Sequence, residues 1–252
     1  MLEVIILAVL QGVAEFLPIS SSGHLVIAQN LLNVNEPGMR LDVFLHLGTL
    51  FAIVAFYWRF VARLLKFDMW ALLYLGKLCL SAIPAIVVCF VFKHQIAYMF
   101  EDSRIVGSLL ICTGIVVSVT RFLPQGRKDV THLRAVLIGI AQSIALLPGI
   151  SRSGMTLACA RASKVDNTKA AEFSFLMSAP LIVGGVILEL ARSAGGVETG
   201  RIGWGLTIFG AAVSAVVGYF SLALLVRSLK SSRFWLFGVY CIIAGTATVL
   251  FL

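Results

Sequence analysis

Two polar segments interrupt an otherwise apolar chain, and they hold the residue types that phosphoryl transfer needs. The first carries Gln11, Glu15, Ser20, Ser21, Ser22 and His24; the second carries Ser151, Arg152, Ser153, Gly154 and Thr156. Gln11 and Glu15 stand four residues apart, on one face of a helix, so both can point at one ligand. A carboxylate in such apolar surroundings needs a cation or a proton, so Glu15 calls for either a metal ion or Arg152 nearby. Arg152 offers a planar fork of donors suited to phosphate. Gly149 and Gly154 permit a tight turn around it, where amide N–H groups can face an anion. Ser21 and His24, three residues apart, are the parts needed to activate a nucleophile or an attacking water. Converging in lipid, these groups point to chemistry on a lipid pyrophosphate.

The elements that would position them follow from composition. The 252 residues are 60% hydrophobic and 13% charged, with a mean hydropathy of +0.99. Soluble domains are roughly 45–50% apolar and about 25% charged, so a water-soluble domain and a disordered chain are both excluded. The reading is a single all-α polytopic membrane domain over residues 1–252. A spanning helix needs about 20 apolar residues. Six stretches approach that length: Leu41–Tyr57, Leu78–Phe92, Ile105–Thr120, Ala171–Ala191, Gly203–Val226 and Phe234–Leu252. Val4–Leu17 with Ile19–Leu32, and Ala135–Leu147 with Ser153–Ala162, are pairs of shorter arms joined by Pro, Gly and Ser. Each pair reads as a re-entrant hairpin, since irregular backbone at membrane depth survives only inside protein or beside a watery cavity.

Alternating the loops across six spans puts fourteen Lys and Arg on one side and five on the other, with Arg152 alone inside a hairpin. The basic side is then cytoplasmic and both termini are extracytoplasmic. Ten full crossings would give the same split, so charge fixes orientation but not the depth of the arms. Laying Gln11–Gly23 over Gln142–Gly154, an offset of 131, matches Gln, Ala, Ile, two Ser and Gly; Phe44-Leu45 over Phe175-Leu176 continues it. The halves, about 1–120 and 134–252, then form an inverted-topology repeat in which broken helices meet near the midplane.

Gln11-Gly-Val-Ala-Glu15-Phe-Leu-Pro18-Ile-Ser20-Ser-Ser-Gly23-His24 and Leu147-Pro-Gly149-Ile-Ser151-Arg152-Ser153-Gly-Met-Thr156 closely resemble the two signature motifs of bacterial undecaprenyl pyrophosphate phosphatases of the bacitracin-resistance type. Phe44–Thr49 and Glu172–Pro180 resemble further segments of that family, so the likeness runs through nearly the whole chain. The resemblance implies hydrolysis of undecaprenyl pyrophosphate to the monophosphate carrier of cell-wall synthesis. It also implies a divalent cation (Mg2+ or Ca2+), the bacterial plasma (inner) membrane, and a site opening to the extracytoplasmic side. By position, Glu15 matches the essential carboxylate and metal ligand, Ser21 the proposed nucleophile and His24 the base or acid. Arg152 and Thr156 match phosphate-side residues, with Gln11, Ser20, Ser22, Ser151, Ser153 and Gly154 around the substrate. Gln11 stands where the family motif has its first acidic position, a residue the family also accepts; one ligand charge is thereby removed.

Rival readings differ in what they require. A type-2 phosphatidate phosphatase needs a further His after the Ser-Arg element, and none follows Arg152. A serine hydrolase needs a G-x-S-x-G turn that neither hairpin has. A polyprenyl-phosphate flippase or transporter would use the same midplane anion site without a nucleophile and base. The net charge of +8 sits in short clusters between apolar runs, which favours anionic lipid over nucleic acid as partner. Cys79, Cys89, Cys112, Cys159 and Cys241 lie inside apolar stretches with no C-x-x-C spacing, pointing to neither disulfides nor zinc. The run Met1–Leu17 lacks a basic start and a small-x-small cleavage site and is expected to stay in the mature protein. His46 is expected to make a structural hydrogen bond to the first hairpin. The oligomeric state is open, a homodimer included.

Overall fold

The computed structural model describes residues 1–32, 34, 40–195, 202–231 and 233–252; Arg201 of the loop-charge count lies outside them. Among the described residues the chain is helical, with two isolated bridges, Gly126–Asp166 and Lys128–Val165, and no strand. The helices are α1 (Leu2–Phe16), α2 (Ser21–Leu31), α3 (Arg40–Phe56), α4 (Trp58–Leu64), α5 (Met69–Val91), α6 (Lys93–Met99) and α7 (Ser103–Val119). The chain then forms α8 (His132–Ile144), α9 (Arg152–Ala162), α10 (Asn167–Leu176), α11 (Ala179–Ala194), α12 (Trp204–Lys230) and α13 (Leu236–Phe251).

Local chemistry sets many of these boundaries. Asp68, Asp102, Thr131 and Asp166 each accept a backbone N–H in the first turn of the helix they precede, which satisfies donors that the helix cannot. Pro180 sits at the start of α11, where its missing N–H costs nothing. The capping of α5 by Asp68 explains why that helix begins at Met69, well before the apolar stretch that marks it in the sequence.

Among the described residues, four helices are long and apolar enough to cross a membrane, or up to 5 if each bent pair is one span. The bent pair is α3 with α4, which turns by 85°. The arms α1, α2, α8 and α9 have 15, 11, 13 and 11 residues, or about 16–22 Å of helix at 1.5 Å per residue. That is short of a hydrocarbon core about 30 Å thick. Large apolar side chains such as Phe90, Phe220 and Ile243 stand exposed around the outside, as lipid-facing positions do. A polytopic membrane protein is therefore the architecture.

The two arm pairs are held crosswise. α1 packs on α12, whereas α8 packs on α5, so the first arm of each pair is cradled by the opposite half of the chain. Between them α7 lies against α13 with Gly107 facing Gly245 and Gly114 facing Gly238. A Cβ on Gly245 would come within 2.5 Å of the Gly107 carbonyl oxygen. The reversed order of these contacts makes the two helices antiparallel, and the missing side chains let their backbones touch.

Candidate functional site

The loops between the arms meet at the centre of the molecule. Ser20 caps α2 by accepting from the Gly23 amide at 3.3 Å, and Ser151 caps α9 by accepting from the Gly154 amide at 3.1 Å. Both turns are unusual: Ser20 has φ 69° and Gly149 φ +94°, conformations that favour small or polar residues. A Cβ on Gly23 would lie 3.1 Å from the Gly149 Cα, so the tips touch backbone to backbone. The Ser153 hydroxyl adds a bond to the Leu17 carbonyl at 3.2 Å.

Glu15 is the hub. Its Oε1 accepts from Arg152 Nη2 at 2.6 Å, while its Oε2 accepts from the Ser21 hydroxyl at 2.7 Å and from the Gln11 amide at 3.1 Å. The side chains of Glu15 and Arg152 are only 7% and 15% exposed, so the pair sits where charge–charge attraction is strong and desolvation is costly. Arg152 donates a second bond from Nη1 to the Ser174 carbonyl at 2.9 Å, and its guanidinium lies 5.5 Å from the Phe175 ring centroid. Of its five N–H donors, two are thus spent and the rest can reach a ligand.

His46 bonds through Nδ1 to the Asp42 carbonyl at 2.8 Å, which makes that nitrogen the donor, and brings Nε2 to 3.5 Å from Glu15 Oε2. The hydrogen bond expected from His46 to the first hairpin is not formed among the described residues; the ring only approaches Glu15, and it lines the cavity. That cavity, about 160 Å³, is bounded by Glu15, Ser21, Ser22, His46, Gln142 and Arg152 among others. Ser22 and His46 also line a second hollow of about 390 Å³ beside Leu25, Val26, Asp42 and Phe100. The two spaces adjoin through these shared residues.

His24 lies apart from this group. Its Nδ1 bonds the Ser20 carbonyl at 2.8 Å, its Nε2 accepts from the Tyr240 hydroxyl at 2.7 Å, and the two rings stack at 5.6 Å. Thr156 is fully buried, with its hydroxyl 2.6 Å from that of Ser174 and 2.8 Å from the Arg152 carbonyl. Ser20, Ser153 and Gly154 shape the tips, whereas Glu15, Ser21, Ser22, Ser151 and Arg152 line the cavity and Gln11 stands behind Glu15. The sequence reading missed Gln142, Tyr240, Thr113 and Ser174. Gln142 could have been found as the repeat partner of Gln11; the others carry no local signal.

The donor set fits a hard divalent cation more than a transition metal. No group of three or more His, Cys, Asp or Glu that could hold a metal occurs among the described residues. Instead Gln11 Oε1 and both amide atoms of Gln142 are buried without a hydrogen-bond partner, next to a carboxylate and a hydroxyl. Buried orphan oxygens of this kind are costly unless a ligand satisfies them, and oxygen donors suit Mg2+ or Ca2+.

Fold and site together define a polytopic helical membrane protein with a buried carboxylate–arginine–serine centre. Residues 4–247 match the family described as Bacitracin resistance protein BacA, and the chain belongs to that family. Curated relatives named undecaprenyl-diphosphatase include one from Desulforapulum autotrophicum, 34% identical in an alignment that covers 98% of this chain and 96% of that protein. Others are from Halothermothrix orenii, 34% identical over 98% of this chain and 96% of that protein, and Rhodopirellula baltica, 36% identical over 99% and 97%.

Proposed function

We propose that this protein is a membrane phosphatase that hydrolyses undecaprenyl pyrophosphate to undecaprenyl phosphate and inorganic phosphate, recycling the lipid carrier of cell-wall synthesis. The observation that carries the reading is the Glu15 carboxylate holding Ser21 and Arg152 at once. The Ser21 hydroxyl already directs its proton at Glu15 Oε2, the arrangement of an activated nucleophile. Ser21 Oγ attacks the terminal phosphorus, its proton passes to Glu15, and the P–O bond to the lipid phosphate breaks. Undecaprenyl phosphate leaves. Water then attacks the phosphoserine; Glu15 returns its proton to Ser21 Oγ, and the proton of the water leaves with inorganic phosphate.

Arg152 turns its free donors to the pyrophosphate oxygens and stabilises the charge that develops there. As it shares itself between substrate and Glu15, the carboxylate becomes the better base. Glu15, Gln11, Gln142 and Ser21 would hold a divalent cation, which when bound supplies Lewis-acid stabilisation of the phosphate oxygens. His24 is expected to orient the first turn of α2, since its ring is bonded at both nitrogens. Direct proton transfer at the cavity would require the ring to leave Tyr240. A flippase needs the anion site but neither the serine nor its base, so the Ser21–Glu15 bond favours hydrolysis.

The finer architecture belongs to the same proposal: an inverted repeat of six spans and two re-entrant pairs. Several facts support it. α2 and α9 begin at 21 and 152 and end at 31 and 162, the same displacement of 131. The antiparallel glycine contacts of α7 and α13 involve positions related by that displacement. The hollow leading to the cavity includes Asp42, near the start of α3, on the side poor in Lys and Arg. That favours a site opening to the extracytoplasmic face, in the bacterial inner membrane that the family resemblance implies. Purified protein given a polyprenyl pyrophosphate and Mg2+ should release inorganic phosphate; lipid movement between leaflets without phosphate release would establish the flippase instead. In intact spheroplasts an impermeant thiol reagent should label Asn30→Cys but not Lys128→Cys.

A further inference from the structure

The bend between α3 and α4 builds a second site, unrelated to the hydrolytic centre. α4 leaves α3 at 85°, so it runs across the span instead of continuing it. Around it lies an open hollow of about 480 Å³ lined by Trp58, Arg59, Ala62, Arg63, Lys66 and Asp68. Three cations there face one carboxylate, and that carboxylate is engaged: Asp68 Oδ1 accepts from the Ala71 amide at 2.8 Å. The guanidinium carbons lie over aromatic rings, Arg63 at 3.9 Å from the Trp70 ring centroid and Arg59 at 5.5 Å from that of Trp58. A cation–π contact acts through the charge of the guanidinium and spends no N–H in a conventional hydrogen bond, so those donors are left for a second partner.

Neighbouring cations on the basic side are spent differently. Arg161 donates twice to the Leu123 carbonyl, Arg134 bonds the Ser163 and Asp129 carbonyls, and Lys169 is paired with Asp129. Arg59, Arg63 and Lys66 have no side-chain hydrogen-bond or ion-pair partner among the described residues. Beside them Trp58 (59% exposed), Leu65, Phe67 and Met69 project outward, apolar groups next to cations as an interfacial helix requires.

We infer that the α3–α4 bend is a binding site for the phosphodiester headgroup of an anionic phospholipid in the leaflet on the basic side. Two guanidinium forks and one ammonium match phosphate oxygens, and the exposed apolar tips match the acyl region beneath them. A bilayer surface supplies both at the depth of a bent interfacial helix.

The test is lipid retention by the full-length protein in detergent, read by native mass spectrometry as phosphatidylglycerol or phosphatidylcholine is added. Wild type should retain phosphatidylglycerol at least about tenfold better, given roughly 1 kcal/mol per basic residue near a lipid surface. The combined variant Arg59→Gln, Arg63→Gln and Lys66→Gln should lose that preference, with size-exclusion behaviour and phosphate release unchanged. A charge-matched control that combines Arg227→Gln, Lys230→Gln and Arg233→Gln should keep the preference. Equal loss in both combined variants would mean diffuse surface charge and would overturn the site. Unchanged retention in the first variant would overturn it too, as would displacement of the bound lipid by millimolar inorganic phosphate. If the combined variant does not fold, Arg63→Gln alone should lower retention about fivefold, and an unaltered value would end the proposal.

Discussion

The two loop tips of this protein share a scaffold and differ in chemistry. Each has a serine cap, Ser20 or Ser151, closing on a glycine amide three residues on, and each has its turn carbonyl held from a neighbouring helix. Thr113 on α7 donates to the Gly149 carbonyl at 2.9 Å, and Cys241 on α13 donates to the Pro18 carbonyl at 3.4 Å. At the offset of 131, however, Glu15 corresponds to Leu146, Ser21 to Arg152 and His24 to Met155. One tip therefore carries the nucleophile and its base, and the other carries the anion clamp. The surroundings differ as well. Asp42 and His46 line an open hollow, whereas their counterparts Phe173 and Met177 are fully buried in the core. The two turns share their caps and props but not their backbone path, since the left-handed residue is Ser20 in one and Gly149 in the other; unequal side chains make one face a site and seal the other.

The largest effect that tests this division is expected at Glu15. Glu15→Gln should lower kcat/KM by about a thousandfold, roughly 4 kcal/mol of transition-state stabilisation, while Leu146→Ala at the matching position should change it less than about threefold. Near-normal hydrolysis by Glu15→Gln at saturating divalent ion would remove the base and ligand role.

Arg152→Lys comes next. It keeps the charge but loses the fork, and kcat/KM should fall at least about tenfold, or roughly 1.4 kcal/mol. If thermal stability drops while kinetics stay at wild type, Arg152 only staples the tips through Glu15.

The two tips agree at Gln11 and Gln142, whose amide oxygens are both buried and unpartnered. Gln11→Ala and Gln142→Ala should each raise the divalent-ion concentration needed for half-maximal activity by about threefold, within the range of a lost ligand hydrogen bond. A Gln11→Ala enzyme as inactive as Glu15→Gln would mean that this amide positions the reacting groups themselves.

The smallest contrast concerns the props. The Thr113 hydroxyl also accepts from the Ser151 amide at 2.9 Å, so Thr113→Val strands two buried groups and should destabilise by about 1–3 kcal/mol. Cys241→Ala removes only a weak thiol bond and should cost less in a thermal unfolding scan in detergent. Equal shifts would show that both tips are propped alike.

Sequence alone was enough to identify a helical membrane protein, because 60% apolar residues cannot be hidden in water. It also located both polar tips and narrowed the partner of Glu15 to a metal ion or Arg152, because a buried carboxylate must find a cation; the structure supplies Arg152. Arm lengths were legible from where apolar runs met Pro, Gly and Ser. What sequence could not decide was which side of α2 each group faces. Ser21 and His24 are one turn apart, yet Ser21 meets Glu15 whereas His24 meets Tyr240, 216 residues away. The same holds for Thr113 and for Ser174, whose carbonyl holds Arg152. Their partners are distant in the chain and their own neighbourhoods are ordinary apolar helix. Local pattern records the cost of burying a polar group; only the packed helices fix which distant partner meets that cost.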